Sequence, residues 1–209
     1  MDTHVYYSNM ISSVSQQLDT SLVYPYKVSS FEETRSEYRK SEIYSASVLL
    51  RKAFLKHYGK DFEIYMDECG KPHALNDEVF FNISHSNGMV MVALSGCRVG
   101  CDIQCMVDKS DYDNLARRFF SEKEHKNITK SHEKAQLFYK YWTYRESYCK
   151  MNGAGLAKLN SRIVIDGEEI CLDGEKVDCH VTGGIINNNY CYSVCTEKNT
   201  EVHLEQVDI

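Results

Sequence analysis

Three charged residues that could form a polar site lie close together in the segment that begins at Trp142. Glu146 and Lys150 are one helical turn apart, and on a helical wheel Arg145 falls in the centre of the apolar stripe. An ionised arginine in a buried stripe is costly unless it is paired. Taken alone, Glu146 and Lys150 form an ordinary exposed salt bridge. Together with Arg145 they predict a buried polar site where two domains meet.

A second acidic residue lies inside an apolar strand, "VGCDIQ", residues 99–104. Side chains alternate along a strand, so Asp102 and Gln104 face one side, and Cys101 and Ile103 face the other. The glycine at position 100 leaves room for an approaching backbone. An aspartate in such a strand either caps a turn or binds a ligand, and the strand alone leaves both interpretations open.

A third polar group ends the strand "FFNIS", which leads into Ser84-His85-Ser86. Adjacent strand residues point to opposite faces, so Ser84 and His85 cannot act as a nucleophile with its own base. The chain also lacks the G-x-S-x-G elbow of hydrolases. A histidine at this position is suited to hydrogen-bonding an anion, and the alternative is an ordinary capped hairpin. Several basic residues upstream are candidate phosphate ligands: Arg39, Lys40, Arg51 and Lys71.

The elements that would position these groups follow from periodicity and from turn residues. The first half reads as a strand at 3–7, a helix at 31–57 with a break and a stop at Gly59, and a short strand before the turn Gly70-Lys71-Pro72. Three strands follow, at 79–84, 88–95 and 98–104.

The second half of the chain reads as helices followed by a meander of strands. The helices cover 110–120, 121–130 and 132–151; the second opens with a capping box, Ser121 and Glu124, and the third ends near Gly153. Asp166-Gly167 and Asp173-Gly174 are predicted turns of the meander. The order predicts an α+β protein with two halves, 1–104 and 105–209.

Composition excludes several classes of protein. The chain has 209 residues, 43% of them hydrophobic and 26% charged, and a net charge of −6, which disfavours a general nucleic-acid binder. It has no apolar run long enough to span a membrane and no signal peptide, so we expect a cytoplasmic protein. Its nine cysteines are then reduced thiols. The spacing of Cys97, Cys101 and Cys105 suggests either a metal site or small buried side chains.

Taken together, the motifs resemble the phosphopantetheinyl transferases. The segments "GKP", "FNISHS", "VGCDIQ", "RFFSEKE" and "WTYRESYCKMNGAGL" occur in the order and spacing of that family. The resemblance is to the pseudo-dimeric type that activates nonribosomal peptide synthetases and other carrier proteins. It implies two similar α/β halves, each a small antiparallel sheet with a long helix, and an active site at the seam between them.

The resemblance also implies a reaction. Such an enzyme transfers the phosphopantetheine arm of coenzyme A to a serine of an apo acyl or peptidyl carrier protein, and releases adenosine 3′,5′-bisphosphate. Asp102 and Glu146 would hold Mg²⁺, or Mn²⁺ in its place, while Lys150 would contact the phosphates and steady the developing charge. Glu146, directly or through a water, would take the proton from the carrier serine. The remaining coenzyme A ligands would be Arg39 and Lys40, for the 3′-phosphate, and Arg51, Lys71, Pro72, Ser84 and His85.

One position departs from the family pattern. Many relatives carry an acid two residues after the aspartate, where this chain has Gln104. Its amide oxygen would ligate the metal or hold a water that does, but it adds no charge. The alternative function is a non-catalytic carrier-protein or nucleotide-binding domain of the same fold. A DNA- or RNA-binding regulator is disfavoured by the acidic composition.

The carrier would dock on a basic surface, because carrier proteins of this kind are acidic around their serine. The segment Arg117–Lys140 has four more basic than acidic residues and provides the candidate surface, although a solvated helix face is the plain alternative. We expect a monomer. The basic residues of this segment are Arg117, Arg118, Lys123, Lys126, Lys130, Lys134 and Lys140.

Overall fold

The computed structural model describes residues 2–12, 18–76, 78–107, 111–155 and 162–209. Residue 110 of the predicted helix 110–120 and the end of the matched segment at Leu156 lie outside these ranges. The elements, in chain order, are β1 (Thr3–Asn9), a 3₁₀ turn (Thr20–Leu22), α1 (Pro25–Glu33), α2 (Glu37–Tyr58), β2 (Ile64–Met66), β3 (Pro72–Ala74), β4 (Phe80–Ser86), β5 (Met89–Ser95), β6 (Val99–Cys105), α3 (Tyr112–Phe119), α4 (Glu122–Lys130), α5 (Lys134–Asn152), β7 (Ile163–Asp166), β8 (Glu169–Leu172), β9 (Glu175–Lys176), β10 (His180–Ile186), β11 (Tyr190–Thr196) and β12 (Val202–Gln206).

The mixture of helices and small sheets confirms the predicted α+β class. The chain forms two compact units, one of Met1–Cys97 with Glu201–Ile209 and one of Arg98–Thr200. Strand β6, which ends the predicted N-terminal half, therefore lies in the second unit. The assignment of separate functions to residues 1–104 and 105–209 stays a prediction. Among the described helices, none combines the length and the hydropathy that a membrane crossing requires.

The first unit is a four-stranded sheet with α2 packed on it. The strand order is β12-β1-β5-β4; β5 pairs antiparallel with β1 and β4, whereas β12 runs parallel to β1. Leu49, Leu50 and Phe54 of α2 are fully buried against β5. The predicted break in the helix falls at residues 34–36, where Ser36 caps α2 by accepting from the backbone N–H of Arg39.

The second unit has a three-stranded antiparallel sheet, β10-β11-β6, covered by α5. Strand β6 pairs with β11 rather than with the preceding β5. A Cβ at Gly100 would clash with the backbone oxygen of Ser147 and the backbone nitrogen of Met151, so glycine is required there. Its absence of a side chain brings β6 directly against the turns of α5 that carry Glu146 and Lys150.

Several local predictions are confirmed. The αL conformations of Gly59 and Gly153 end α2 and α5. The capping box of α4 is complete, because Ser121 and Glu124 each accept a backbone N–H from the other. Turns at Gly167 and Gly174, both with positive φ, connect β7, β8 and β9. All nine cysteines are free thiols.

Candidate active site

Asp102 and Lys150 form the centre of a polar cluster in the second unit. Asp102 lies on β6 with its side chain 1% exposed, and its Oδ1 accepts a hydrogen bond of 2.6 Å from Lys150 Nζ. Gln104 Nε2 donates to Asp102 Oδ2 at 3.1 Å, which confirms that the two side chains share a face of the strand. The Asp102 carboxylate is thus held by the Lys150 ammonium group from α5 and by the Gln104 amide from its own strand.

Glu146 lies one turn before Lys150 on α5 and adds a second carboxylate. Burial raises the pKa of Glu146, the negative charge of Asp102 raises it further, and the Lys150 ammonium offsets part of the rise. Its carboxylate makes no hydrogen bond or ion pair to any described residue. Among the described residues, Lys150 thus pairs directly with Asp102, and Glu146 is the carboxylate without a counter-ion in contact.

Lys150 keeps its proton in this environment. Burial lowers the pKa of Lys150, but the nearby carboxylates, Asp102 before Glu146, outweigh burial and raise it overall. The Lys150 side chain is 29% exposed, so a solute can reach it while it holds Asp102. The cluster combines a buried carboxylate, a half-buried carboxylate and an accessible cation.

Arg145 is fully buried, as predicted, but it belongs to a different cluster. Its Nη2 donates to Glu124 Oε2 at 2.6 Å and to the backbone oxygen of Ile163 at 2.9 Å, and its guanidinium lies over the Phe120 ring. Glu124 Oε1 in turn accepts the backbone N–H of Ile165 at 2.8 Å. Both members of the ion pair are 0% exposed. The pair therefore fixes α4, α5 and β7 together inside the second unit.

A cavity of about 170 Å³ in the first unit is lined by three of the predicted coenzyme A-binding residues. Arg39, Pro72 and His85 line it. Lys27 also lines it, and burial together with the positive charge of Arg39 lowers the pKa of this lysine. A cavity lined by an arginine, a lysine and a histidine favours an anionic ligand.

Glu42 connects two of the basic side chains of this cavity. Its Oε1 lies 3.0 Å from His85 Nδ1, and its Oε2 accepts a 2.9 Å hydrogen bond from Arg39 Nη1. The same Nη1 of Arg39 lies 3.4 Å from His85 Nε2. Glu42 and Lys27 were missed by the sequence reasoning; the i, i+3 spacing of Arg39 and Glu42 on α2 was the available signal.

The other predicted coenzyme A ligands lie elsewhere among the described residues. Arg51 pairs with Asp61, donates to the backbone oxygen of Leu22 at 3.0 Å and lies over the Tyr24 ring. Lys40 pairs with Glu37 at 3.2 Å.

Lys71 and Ser84 are also absent from the lining of the cavity. The backbone N–H of Lys71 donates to Asp67 and closes the turn between β2 and β3. Ser84 is buried in β4, with 4% of the residue exposed. The structure therefore brings Arg39, Pro72 and His85 together and does not place Lys40, Arg51, Lys71 or Ser84 with them.

A larger cavity, of about 330 Å³, lies in the second unit between α5 and the strands β10 and β11. Its lining includes Lys140, Tyr144 and Glu168. Lys140 and Tyr144 both donate a hydrogen bond to the Glu168 carboxylate. None of Asp102, Glu146 and Lys150 lines this cavity. Size alone is thus a poor guide to the chemistry here, and the polar cluster on β6 and α5 is the stronger candidate.

Much of the charge on the predicted docking segment is balanced by acids. Lys123 pairs with Asp166 at 2.7 Å, and Lys126 pairs with Glu122 at 2.5 Å. Arg117 and Lys140 also have acidic partners, Asp113 and Glu168. Three of these four acids lie outside the segment, so its surface has a smaller excess of positive charge than the segment alone indicates.

Comparison with known proteins yields a family match in the second unit. The family described as "4'-phosphopantetheinyl transferase superfamily" matches residues 98–198. A 4'-phosphopantetheinyl transferase of Bacillus subtilis is 31% identical over 179 residues, which cover 78% of this chain and 79% of that protein. The transferase Sfp of Bacillus subtilis is 28% identical over the same shares. HetI of Nostoc sp. is 36% identical over 84 residues, which cover 39% of this chain and 35% of that protein.

Proposed function

Because this chain belongs to the 4'-phosphopantetheinyl transferase superfamily, we propose that it transfers the 4'-phosphopantetheine arm of coenzyme A to a serine of an apo carrier protein. The second product would be adenosine 3′,5′-bisphosphate. The observation that carries the proposal is the cluster of Asp102, Glu146 and Lys150, which lies within the segment that matches the family. A non-catalytic domain of the same fold would have no need for a half-buried carboxylate without a partner among the described residues.

Transfer of a phosphoryl-linked group depends on positioning and on neutralising charge. The donor set of the cluster supports a role for Mg²⁺, which takes one or two carboxylates together with substrate phosphates and waters. Asp102 and Glu146 would be its ligands, and a cation would relieve the repulsion that contributes to the raised pKa of Glu146. When bound, the ion would neutralise charge on the diphosphate of coenzyme A.

Two side chains of the cluster would have separate roles in the reaction besides holding the metal. Lys150, protonated and accessible, would contact the phosphates and steady the charge that develops on them. Glu146 would accept the proton of the carrier serine, directly or through a water. A raised pKa brings this carboxylate closer to neutral pH, which suits a general base.

Gln104 would act through Asp102 rather than as a charged ligand. Its amide N–H holds Asp102 Oδ2, which is the oxygen not used by Lys150. This contact supports an outer position, in which Gln104 orients Asp102 or a water on the metal.

The cavity of the first unit would hold a phosphate of the nucleotide. Arg39, Lys27 and His85 supply the donors, and Glu42 fixes the orientation of two of them. Lys40, Arg51, Lys71 and Ser84, which the family resemblance also suggested, have less support because they do not line this cavity.

The test is the mass of an apo carrier protein after incubation with the chain, coenzyme A and Mg²⁺. Apo acyl carrier and apo peptidyl carrier proteins are compared, since the accepted carriers indicate whether the product serves fatty acid, polyketide or nonribosomal peptide synthesis. We expect a mass increase equal to phosphopantetheine that is absent with a chelator. Binding of coenzyme A without any change of carrier mass, over a panel of both carrier types, would favour the non-catalytic alternative.

A further inference from the structure

Two short motifs near the ends of the described chain repeat the pattern acid-x-histidine. They are Asp2-x-His4 and Glu201-x-His203, and they lie at the starts of β1 and β12. These strands pair in parallel, with Thr3 opposite Val202 and His4 opposite His203. Because side chains alternate along each strand, both acids and both histidines fall on the same face of the pair.

The side chains on this face are close enough to share a ligand. One donor atom each from Asp2, Glu201 and His203 lies within 4.8 Å of the other two. The ring centroids of His4 and His203 are 5.1 Å apart, and His57 from the last turn of α2 lies 4.2 Å from His4. Carboxylate and imidazole donors from two strands and a helix therefore converge at this position in the first unit.

We propose that this face is a binding site for a divalent transition metal of the Zn²⁺ type, with Asp2, Glu201 and His203 as ligands and a water in the fourth position. Imidazole and carboxylate together suit zinc and its neighbours in the first transition series, whereas Mg²⁺ prefers oxygen donors alone.

The distances require only a small contraction. Four donors at about 2.1 Å from a tetrahedral zinc are about 3.4 Å from one another. The three donors within 4.8 Å thus need to move inward by about 1 Å. Asp2, Glu201 and His203 are exposed, so their side chains can make this movement without repacking the core.

The carboxylates of Asp2 and Glu201 have few positively charged partners, which favours the binding of a cation. The only ion pair found among the three ligands joins His203 Nε2 and Asp2 Oδ2 at 3.3 Å, within the described residues. Glu201 has no ion pair with a described residue, and Lys56 of α2 pairs with Glu205. Neither carboxylate pairs with a lysine or an arginine among the described residues, so a divalent ion would balance both.

Metal binding to this site would fasten the last strand to the first. The ligands come from both β1 and β12, so the metal binds the folded sheet and not the unfolded chain. Ligands of this kind raise the stability of the unit that they bridge by mass action.

The experiment is a titration of untagged, chelator-treated full chain with Zn²⁺ by calorimetry and with Co²⁺ by visible absorption. The variants are His203→Ala and Glu201→Gln, and the matched control is His180→Ala, an exposed histidine of β10 in the second unit. Circular dichroism without metal establishes that each variant is folded.

We expect one equivalent of metal in the parent chain, and an affinity at least tenfold lower in both His203→Ala and Glu201→Gln. The control His180→Ala should bind as the parent does. No stoichiometric binding by the parent, or equal affinity in His203→Ala, would overturn the proposal. A Co²⁺ spectrum with thiolate charge-transfer bands that His203→Ala leaves unchanged would also overturn it, since the metal would then lie on cysteines. The site does not depend on transferase activity, so the two proposals can fail separately.

Discussion

Replacing Glu146 with glutamine should lower activity and raise stability at the same time. The variant keeps the shape of the side chain but removes a metal ligand and the candidate base, and general base catalysis alone is worth about 10²–10⁴-fold. We therefore expect turnover to fall at least 10²-fold at saturating Mg²⁺. The measurement is the rate of carrier modification at matched coenzyme A and carrier concentrations.

The stability effect follows from the raised pKa of Glu146, which burial and Asp102 cause. The folded protein holds this proton more tightly than the unfolded chain, so the free energy of unfolding falls as pH rises from about 4.5 through the pKa of the folded state. At pH values above that range, the ionised carboxylate lowers the free energy of unfolding by a constant amount. Each unit by which the pKa is raised corresponds to about 1.4 kcal/mol and, for a chain of this size, about 3–5 °C in Tm.

Without metal, Glu146→Gln should therefore melt higher than the parent at pH 7, and the difference should vanish below pH 4.5, where both states are protonated. The control is Glu169→Gln, an exposed glutamate of the same unit that pairs with Lys176. It should leave the rate of carrier modification unchanged. Turnover of Glu146→Gln within threefold of the parent would refute the catalytic role, and a Tm difference independent of pH would refute the electrostatic argument.

Three further predictions follow from the contacts of single side chains. Gln104→Glu places a third carboxylate beside Asp102, so it should lower Tm in a chelator and also lower the Mg²⁺ concentration needed for half-maximal activity; an unchanged Mg²⁺ curve would place Gln104 outside the metal site. Glu42→Gln should weaken binding of adenosine 3′,5′-bisphosphate by about tenfold, because Arg39 and His85 lose a charged partner. Tighter binding, measured by calorimetry, would show instead that Glu42 competes with the ligand. Charge reversal at Lys123 and Lys126 should raise the KM for carrier within about tenfold, an effect that shrinks at high salt, and leave the KM for coenzyme A unchanged. Equal effects on both constants, or none on either, would move carrier docking to another surface.

The cluster on β6 and α5 could be predicted because its spacing is local. Strand alternation placed Asp102 and Gln104 on one face, and helical spacing placed Glu146 one turn before Lys150. The burial of Arg145 also followed from the helical wheel. Its partner did not, because Glu124 is 21 residues away and had been interpreted only as part of a capping box.

Long-range pairing accounts for most of what the sequence could not predict. The predicted first helix began at residue 31, whereas α1 begins at Pro25, so Lys27 was not considered as a cavity residue. Strand β12 pairs with β1 across almost the whole chain, and no local pattern specifies such a pairing. Contacts of this kind depend on the topology of the sheet rather than on the period of any one segment.

The return of the last strand to the first unit has a consequence for synthesis of the chain. Residues 98–200 lie in the sequence between two parts of one sheet, so β1 has no neighbour on one side until Val202–Gln206 has been made. During translation the second unit can complete its contacts first, while the edge of β1 that pairs with β12 is still without that partner. Such an edge invites pairing with other chains. Loss of only the last strand would therefore damage the part of the protein that is made first.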